Sequence, residues 1–300
     1  MNRNLQTKCI GFGIKFLLGA CASFTVATTI GIVVVLFSET SEFFSQVPLF
    51  DFLFGLSWEP LLEPKSFGVL PLVSGTLLIM LGSGLIAIPI GLLTAVYLSE
   101  YAKHRTRAFI KPILEILAGI PTIVYGYFAL TFITPMLKQI IPSIDVFNAL
   151  SGAIVVGIMI LPMVSSLCDD AFSGVPKSLK MGGYALGATS FEVICQIIMP
   201  ASASRILAAF ILALSRAIGE TMAVTLAAGA TPHFTLNPLE SIQTMTAYIV
   251  QVSLGDTPAG GIEYLTCFAV ASLLFFITLV MNILGQRIIH GIGKKGGQNS

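Results

Sequence analysis

The chain has 300 residues, 55% of them hydrophobic and only 10% charged. A soluble domain carries about 25% charged residues, so this composition excludes a water-exposed globule. Sixteen Lys and Arg stand against fifteen Asp and Glu, which leaves no basic excess for a nucleic-acid partner.

A span needs about 20 mostly apolar residues, and six segments meet that need: 11–37, 67–98, 108–134, 151–168, 201–230 and 264–288. The expected class is an all-α polytopic membrane protein with six transmembrane helices in a lipid bilayer. The first run follows "MNRNLQTKC". It is too long for a signal-peptide core and lacks a small-residue cleavage site, so it reads as an uncleaved span. Segment 38–66 holds Glu39, Glu42, Asp51, Glu59 and Glu63 against Lys65 alone.

The second span is longer than a bilayer requires and carries Pro71 and Pro89, so it tilts, kinks or projects. Lys103, Arg105, Arg107 and Lys111 cluster after it. Lys111, Glu100 and Glu115 read as interfacial charges. Within the third span, "AGIPTIVYG" sets Gly119, Pro121 and Gly126 in eight residues. Such breaks are tolerated where protein or water surrounds the backbone. Thr122 and Tyr125 place hydroxyls there, as pathway candidates or beside a simple packing kink.

Residues 169–200 form the long loop between spans four and five. Pro176 suits a first helical position, a helix follows over 177–186, and Gly187 fits just past its end. Thr189-Ser190-Phe191-Glu192 is a capping box. Phe191, Ile194, Ile197 and Ile198 follow at helical spacing, and Pro200 closes the segment. The apolar face of this helix–turn–helix either packs on the spans or docks a partner in the cytoplasm.

The fifth span contains "ALSRAIGETMAVTL". Arg216 lies eleven residues beyond Arg205, about 16 Å along a helix and near the midplane of a roughly 30 Å core. Glu220 is expected one turn further on the same face, with Ala209, Ala213, Ala223 and Ala227 allowing close approach of a neighbour. An Arg at mid-membrane costs about 2.5–3.5 kcal/mol, whereas an i,i+4 pair on an exposed helix contributes only about 0.2–0.5 kcal/mol. A pathway role is therefore favoured over a structural pair, because buried ionisable residues mark ion routes. Arginine's planar fork meets two oxygens of a tetrahedral oxyanion, and Glu220 neutralises it in the empty site.

Segments 135–150 and 231–263 hold Asp145, Glu240, Asp256 and Glu263 against Lys138. Basic residues instead gather in the alternate segments, including Arg3, Lys8, Lys177, Lys180, Arg205, Arg287, Lys294 and Lys295. Positive loops stay inside, so both termini are expected in the cytoplasm. The chain divides into 1–66 (first span and external segment), 67–290 (core with loop 169–200) and a tail, 291–300. The five cysteines form no C-x-x-C and read as small hydrophobes. His104, His233 and His290 are isolated, and no G-x-x-x-x-G-K-[ST] occurs, so no metal site or nucleotide loop is expected in this chain.

The long loop resembles the "EAA" loop of ABC-importer permeases. Gly187 takes the glycine position, and Ile197 with Met199-Pro200 stands for I-x-L-P. Met181-Gly182-Gly183 replaces Glu-Ala-Ala. "WEP", "FGVLPLVSGTL", "YLSEYA", "LAGIPTIVYGYFAL", "MILPMVSSLCDDAF", "VPKSLK" and "SRAIGETMAV" together resemble the PstC-type permease of phosphate-specific ABC importers, over about 55–290. The resemblance implies the type I ABC-importer permease fold in a bacterial cytoplasmic (inner) membrane. It implies a second homologous permease as heterodimer partner, two ATPase subunits that bind ATP and Mg, and an extracytoplasmic phosphate-binding protein. It implies a translocation role for Arg216 and Glu220. It also implies an ATPase-coupling role for Met181, Gly182, Gly183, Tyr184, Ala185, Gly187, Ala188, Glu192 and Pro200. On this reading the chain is not itself an enzyme and holds no cofactor. The alternatives are an ion-gradient-coupled anion transporter, a permease for another oxyanion such as sulfate, and a membrane receptor that reports phosphate without moving it.

Overall fold

A computed structural model describes residues 3–255, 257–258 and 260–297, with side chains placed for residue 11 and most of 13–289. Asp256 and the side chains of Arg3, Lys8, His290, Lys294 and Lys295 lie outside the described residues.

Helix α1 (Arg3–Gln46) runs nine residues past its expected end at 37. The Thr25, Thr28 and Thr29 hydroxyls donate to carbonyls one turn back, so these three protons are not left bare on an exposed helix. A short α2 (Leu49–Phe54) leads into a minimal hairpin, β1 (Trp58–Glu59) with β2 (Ser66–Phe67), paired antiparallel as Trp58↔Phe67. This hairpin, with an isolated antiparallel bridge between Ser57 and His233, departs from the expected all-helical chain. It places the chain's single Trp, 1% exposed, against Phe52 and Tyr248 in an aromatic cluster at the outer end.

Helix α3 (Leu70–Val96) carries Pro71 in its first turn and ends in one π-helical turn, Tyr97–Tyr101. The third expected span does not cross as one rod. Helix α4 (His104–Gly119) and the run α5 (Thr122–Phe128), a π turn and α6 (Thr134–Ile140) meet at a 90° bend. Pro121 offers no N–H, and Ile120 before it is extended (φ −67°, ψ 130°), as the proline ring demands. The expected span 108–134 is thus divided at the bend, and α4 and the run to Ile140 are apolar enough to cross only when taken together. Helix α4, four of whose sixteen residues are charged beyond its His, has no buried residue.

Helix α7 (Ala149–Ser173) is capped by Asn148, whose Oδ1 accepts the Ser151 N–H at 2.7 Å. It pairs with α3 along small residues. A Cβ on Gly91 would come within 2.8 Å of Val164, the close backbone approach that membrane helix pairs use. The expected end at 168 is corrected to Ser173, so Asp169–Phe172 belong to the span and not to the loop. The charge of Asp169 is tolerated there because it is paired.

The loop follows as α8 (Lys177–Ala185), then α9 (Ser190–Val193), a π turn (Ile194–Ile198) and α10 (Met199–Ile218). Pro200 does not close a segment. It sits in the first turn of α10, where its missing N–H costs nothing, within one apolar run, Ser190–Ile218. The fifth span is therefore 190–218, not 201–230. Helices α11 (Met222–Ala228), α12 (Met245–Leu254) and α13 (Ile262–Gly297) complete the chain. Helix α13 packs on α1, where Thr40 Oγ1 meets Ser272 Oγ at 2.7 Å. Among the described residues, five helices are long and apolar enough to cross a membrane, and the bent pair makes a sixth.

Candidate functional site

The helix carrying Arg216 ends two residues later. Helix α10 stops at Ile218, and Gly219, Glu220 and Thr221 separate it from α11. Arg216 and Glu220 consequently do not share one helical face, and they form no ion pair within 4.0 Å among the described residues. Glu220 is buried and serves the break itself. Its Oε1 accepts the Ala223 N–H at 3.3 Å, and its carbonyl accepts the Thr246 hydroxyl at 2.7 Å. The carboxylate thereby satisfies a donor that the interrupted helix leaves free.

The alanine face is buried as expected: Ala209, Ala213, Ala217, Ala223 and Ala227 are each at most 2% exposed. It is packed within this subunit, and Arg216, next to Ala217, turns away from it and is exposed. Its guanidinium makes no hydrogen bond or ion pair among the described residues. One residue earlier, Ser215 Oγ donates to Asn282 Oδ1 at 3.2 Å and ties this turn to α13.

Arg216 lines a cavity of about 330 Å³ between α3, α4, α7 and α10. Its other polar walls are Lys111 and Glu115 from α4, and Ser165, Ser166 and Asp169 from α7. Ser165 donates to the Gly91 carbonyl at 3.3 Å. Asp169 is fully buried yet holds two cations. Arg107 Nη2 reaches its oxygens at 2.8 and 3.0 Å, and Lys111 Nζ at 2.8 Å. Two positive groups on one carboxylate leave a net positive cluster at this wall.

The remaining sequence candidates lie elsewhere. Tyr125 is buried, and its hydroxyl donates to the Leu117 carbonyl at 2.7 Å, across the 90° bend. It satisfies an acceptor that the break exposes. Thr122, half-buried in the first turn of α5, does not line the cavity. Gly126 lets α5 cross α11, since a Cβ there would stand 3.0 Å from the Ala223 Cα and carbonyl oxygen. Gly126→Val should lower the thermal midpoint of the purified protein. Overpacking against backbone costs about 1–3 kcal/mol, and an unchanged midpoint would contradict the close crossing.

The long loop matches its expected local structure closely. Gly187 has φ +86°. Its N–H donates to Tyr184 O at 3.0 Å and the Ala188 N–H to Gly183 O at 3.2 Å, a Schellman end that needs the left-handed region glycine allows. The capping box forms in both directions: Glu192 N–H to Thr189 Oγ1, and Thr189 N–H to Glu192 Oε2. Gly183 is buried because its bare Cα admits Ile197, whose Cδ1 lies 2.5 Å from where a Cβ would be. Ala185 is exposed and Ala188 half-buried, while a Cβ on Gly182 would meet open space. The outward face carries Leu179, Met181, Tyr184, Leu186 and Phe191, all exposed, with Leu186 at 91%. Lys180 Nζ bonds Glu100 Oε1 at 2.6 Å and ties α8 to the end of α3.

Sequence reasoning missed the cluster around Asp169. Arg107 and Lys111 stand four apart and so share a helix face, but Asp169 is 62 residues from Arg107. Only "LCDDAF" hinted at a carboxylate inside an apolar run.

A model of the family described as "Binding-protein-dependent transport system inner membrane component" matches residues 87–291. The chain belongs to this family. That assignment makes it a multi-pass inner-membrane protein and an ABC transporter permease subunit. It is 32% identical over 272 residues to a "Probable ABC transporter permease protein YqgH" of Bacillus subtilis, covering 90% of this chain and 88% of that protein. It is also 32% identical over 268 residues to the "Phosphate transport system permease protein PstC" of Haemophilus influenzae, covering 83% of each. Among solved structures, a bacterial alginate ABC transporter in complex with its periplasmic protein matches with a TM-score of 0.64 at 17% identity. The match covers 93% of this chain and 95% of the other. At that identity it speaks for the fold, the type I ABC-importer permease architecture.

Proposed function

We propose that this chain is the membrane-spanning permease subunit of an ATP-driven inorganic phosphate importer and forms half of its translocation pathway. The observation that carries the reading is the unpartnered Arg216 guanidinium on the wall of a cavity within the span bundle. A permanently charged planar fork with free donors suits a tetrahedral oxyanion. The relatives named for phosphate transport direct the choice of anion.

In this reading a second, homologous permease covers the exposed side of the cavity. Two cytoplasmic ATPase subunits bind ATP and Mg and seat on the apolar face of α8, and a phosphate-binding protein delivers the anion from outside. Closure of the ATPases pushes α8, and the spans rock so that Arg216 faces each side in turn. Glu220 fixes the break just beyond Arg216, and Thr122 and Tyr125 shape the opposing bend. They position the pathway, and Arg216 meets the anion.

The test is uptake of labelled phosphate in cells lacking other phosphate routes, with and without a tenfold excess of sulfate. Phosphate uptake should persist under sulfate. Equal competition by sulfate would assign the permease to oxyanions generally. Phosphate movement by this chain alone in liposomes, driven by an ion gradient, would overturn the ATP-driven reading.

A further inference from the structure

Lys111, Arg107 and Asp169 make an uneven trio. Asp169 is 1% exposed at its side chain, so its charge must stay compensated. Arg107 Nη2 alone contacts both carboxylate oxygens, at 3.0 and 2.8 Å. Lys111 adds a third contact at 2.8 Å while its side chain remains 38% exposed, on the cavity that Arg216 also lines. Lys111 can therefore leave Asp169 without stranding a buried carboxylate, because Arg107 keeps both oxygens. Its ammonium has three donors on a flexible stem and follows a moving anion more readily than a planar guanidinium does.

The same wall supplies a second donor. Ser166 is exposed, lines the cavity, and its hydroxyl has no hydrogen-bond partner among the described residues. Ser165, beside it, donates to Gly91. Glu115 is the other carboxylate on the cavity wall, one turn from Lys111. It sets an upper limit on how tightly an anion rests there.

Position along α7 separates this end from Arg216. Arg205 packs against Gly174, beyond the end of α7. Arg216 lies eleven residues further along α10, about 16 Å away. Asp169 lies only five residues before Gly174, about 8 Å. Lys111 is held at the level of Asp169, nearer the end of the bundle that carries the α8 loop.

We propose that Lys111, with Ser166, forms a second station for the oxyanion on the loop side of Arg216, and that Asp169 is its resident counter-ion. The anion leaves Arg216, Lys111 swings from Asp169 to receive it, and Arg107 holds Asp169 meanwhile. When the anion departs, Asp169 recaptures Lys111 and the station resets. This inference rests on the anion-import reading above, but not on which anion is carried.

The experiment uses the complete transporter, with its partner permease, ATPases and binding protein, in proteoliposomes. Lys111→Gln, Lys111→Arg, Ser166→Ala and Asp169→Asn are compared for uptake of inorganic phosphate and of sulfate. Lys111→Gln should cut saturated uptake about tenfold, the loss of one charge-assisted hydrogen bond, with assembly intact. Lys111→Arg should restore much of it. Asp169→Asn, which frees Lys111 permanently, should slow uptake while the detergent-purified complex retains more labelled phosphate. A merely structural ion pair predicts no added retention. Normal uptake by Lys111→Gln in an assembled complex overturns the station alone. If wild type carries sulfate in place of phosphate and Lys111→Gln slows it equally, the station stands and the phosphate assignment falls. If wild type carries neither anion, both fall.

Discussion

Arg216→Ala should abolish phosphate uptake while leaving the protein folded and assembled. Two lines of physics set that expectation. The guanidinium has no hydrogen-bond or ion-pair partner among the described residues and is exposed, so its removal strands no buried group there and should change stability by no more than about 0.5 kcal/mol. On the transport side, the fork makes two charge-assisted hydrogen bonds to one oxyanion, each about 1.5–3 kcal/mol. Losing both slows passage by at least about a hundredfold. Arg216→Lys keeps the charge but not the paired geometry, and should fall between. Glu220→Ala is the instructive contrast. It removes a buried acceptor from the Ala223 N–H, so it should cost stability and assembly first, by about 0.5–2 kcal/mol as for other lost caps. Uptake and co-purification with the partner subunits, measured together, separate the two. Normal uptake by assembled Arg216→Ala would remove Arg216 from the pathway.

The contrast between these residues also marks what the sequence could reveal. The loop was legible almost residue by residue, because its signals are local. A Schellman glycine, a T-x-x-E box and the intervening spacing act within four or five residues. The number of spans was legible too, since apolar length is a property of composition. Breaks inside apolar runs were not. "IPTIVYG" announced a kink, but neither its 90° angle nor the pairing of Arg107 and Lys111 of α4 with Asp169 on α7. The four-residue spacing of Arg216 and Glu220 suggested one face. The helix instead stops between them, because Thr246, 26 residues away, supplies a replacement partner for the Glu220 carbonyl. Long-range partners stand beside both of these breaks, and single-sequence periodicity carries no record of them.

The second large effect concerns force transfer rather than the pathway. Lys180 on α8 and Glu100 at the end of α3 pair at 2.6 Å with side chains 19% and 11% exposed. A half-sequestered pair of this kind is screened far less than a surface one. It is the direct charged link between the loop helix and a span in the α3–α7 core. If α8 carries the ATPase stroke, Lys180→Glu should leave ATP hydrolysis running but stop uptake. Two carboxylates facing each other would push α8 off α3, and breaking such a buried pair costs about 3–5 kcal/mol. Glu100→Lys alone should do the same from the other side. The double variant, Lys180→Glu with Glu100→Lys, restores opposite charges in the same place and should recover a large part of uptake. Recovery measures the pair itself, as a double-mutant cycle does. If the double variant transports no better than either single one, the two residues act separately and the stroke enters the spans elsewhere. The apolar contacts of Val193 and Ile197 beneath Gly183 then become the next route to test, because they too pack α8 onto the chain's own helices.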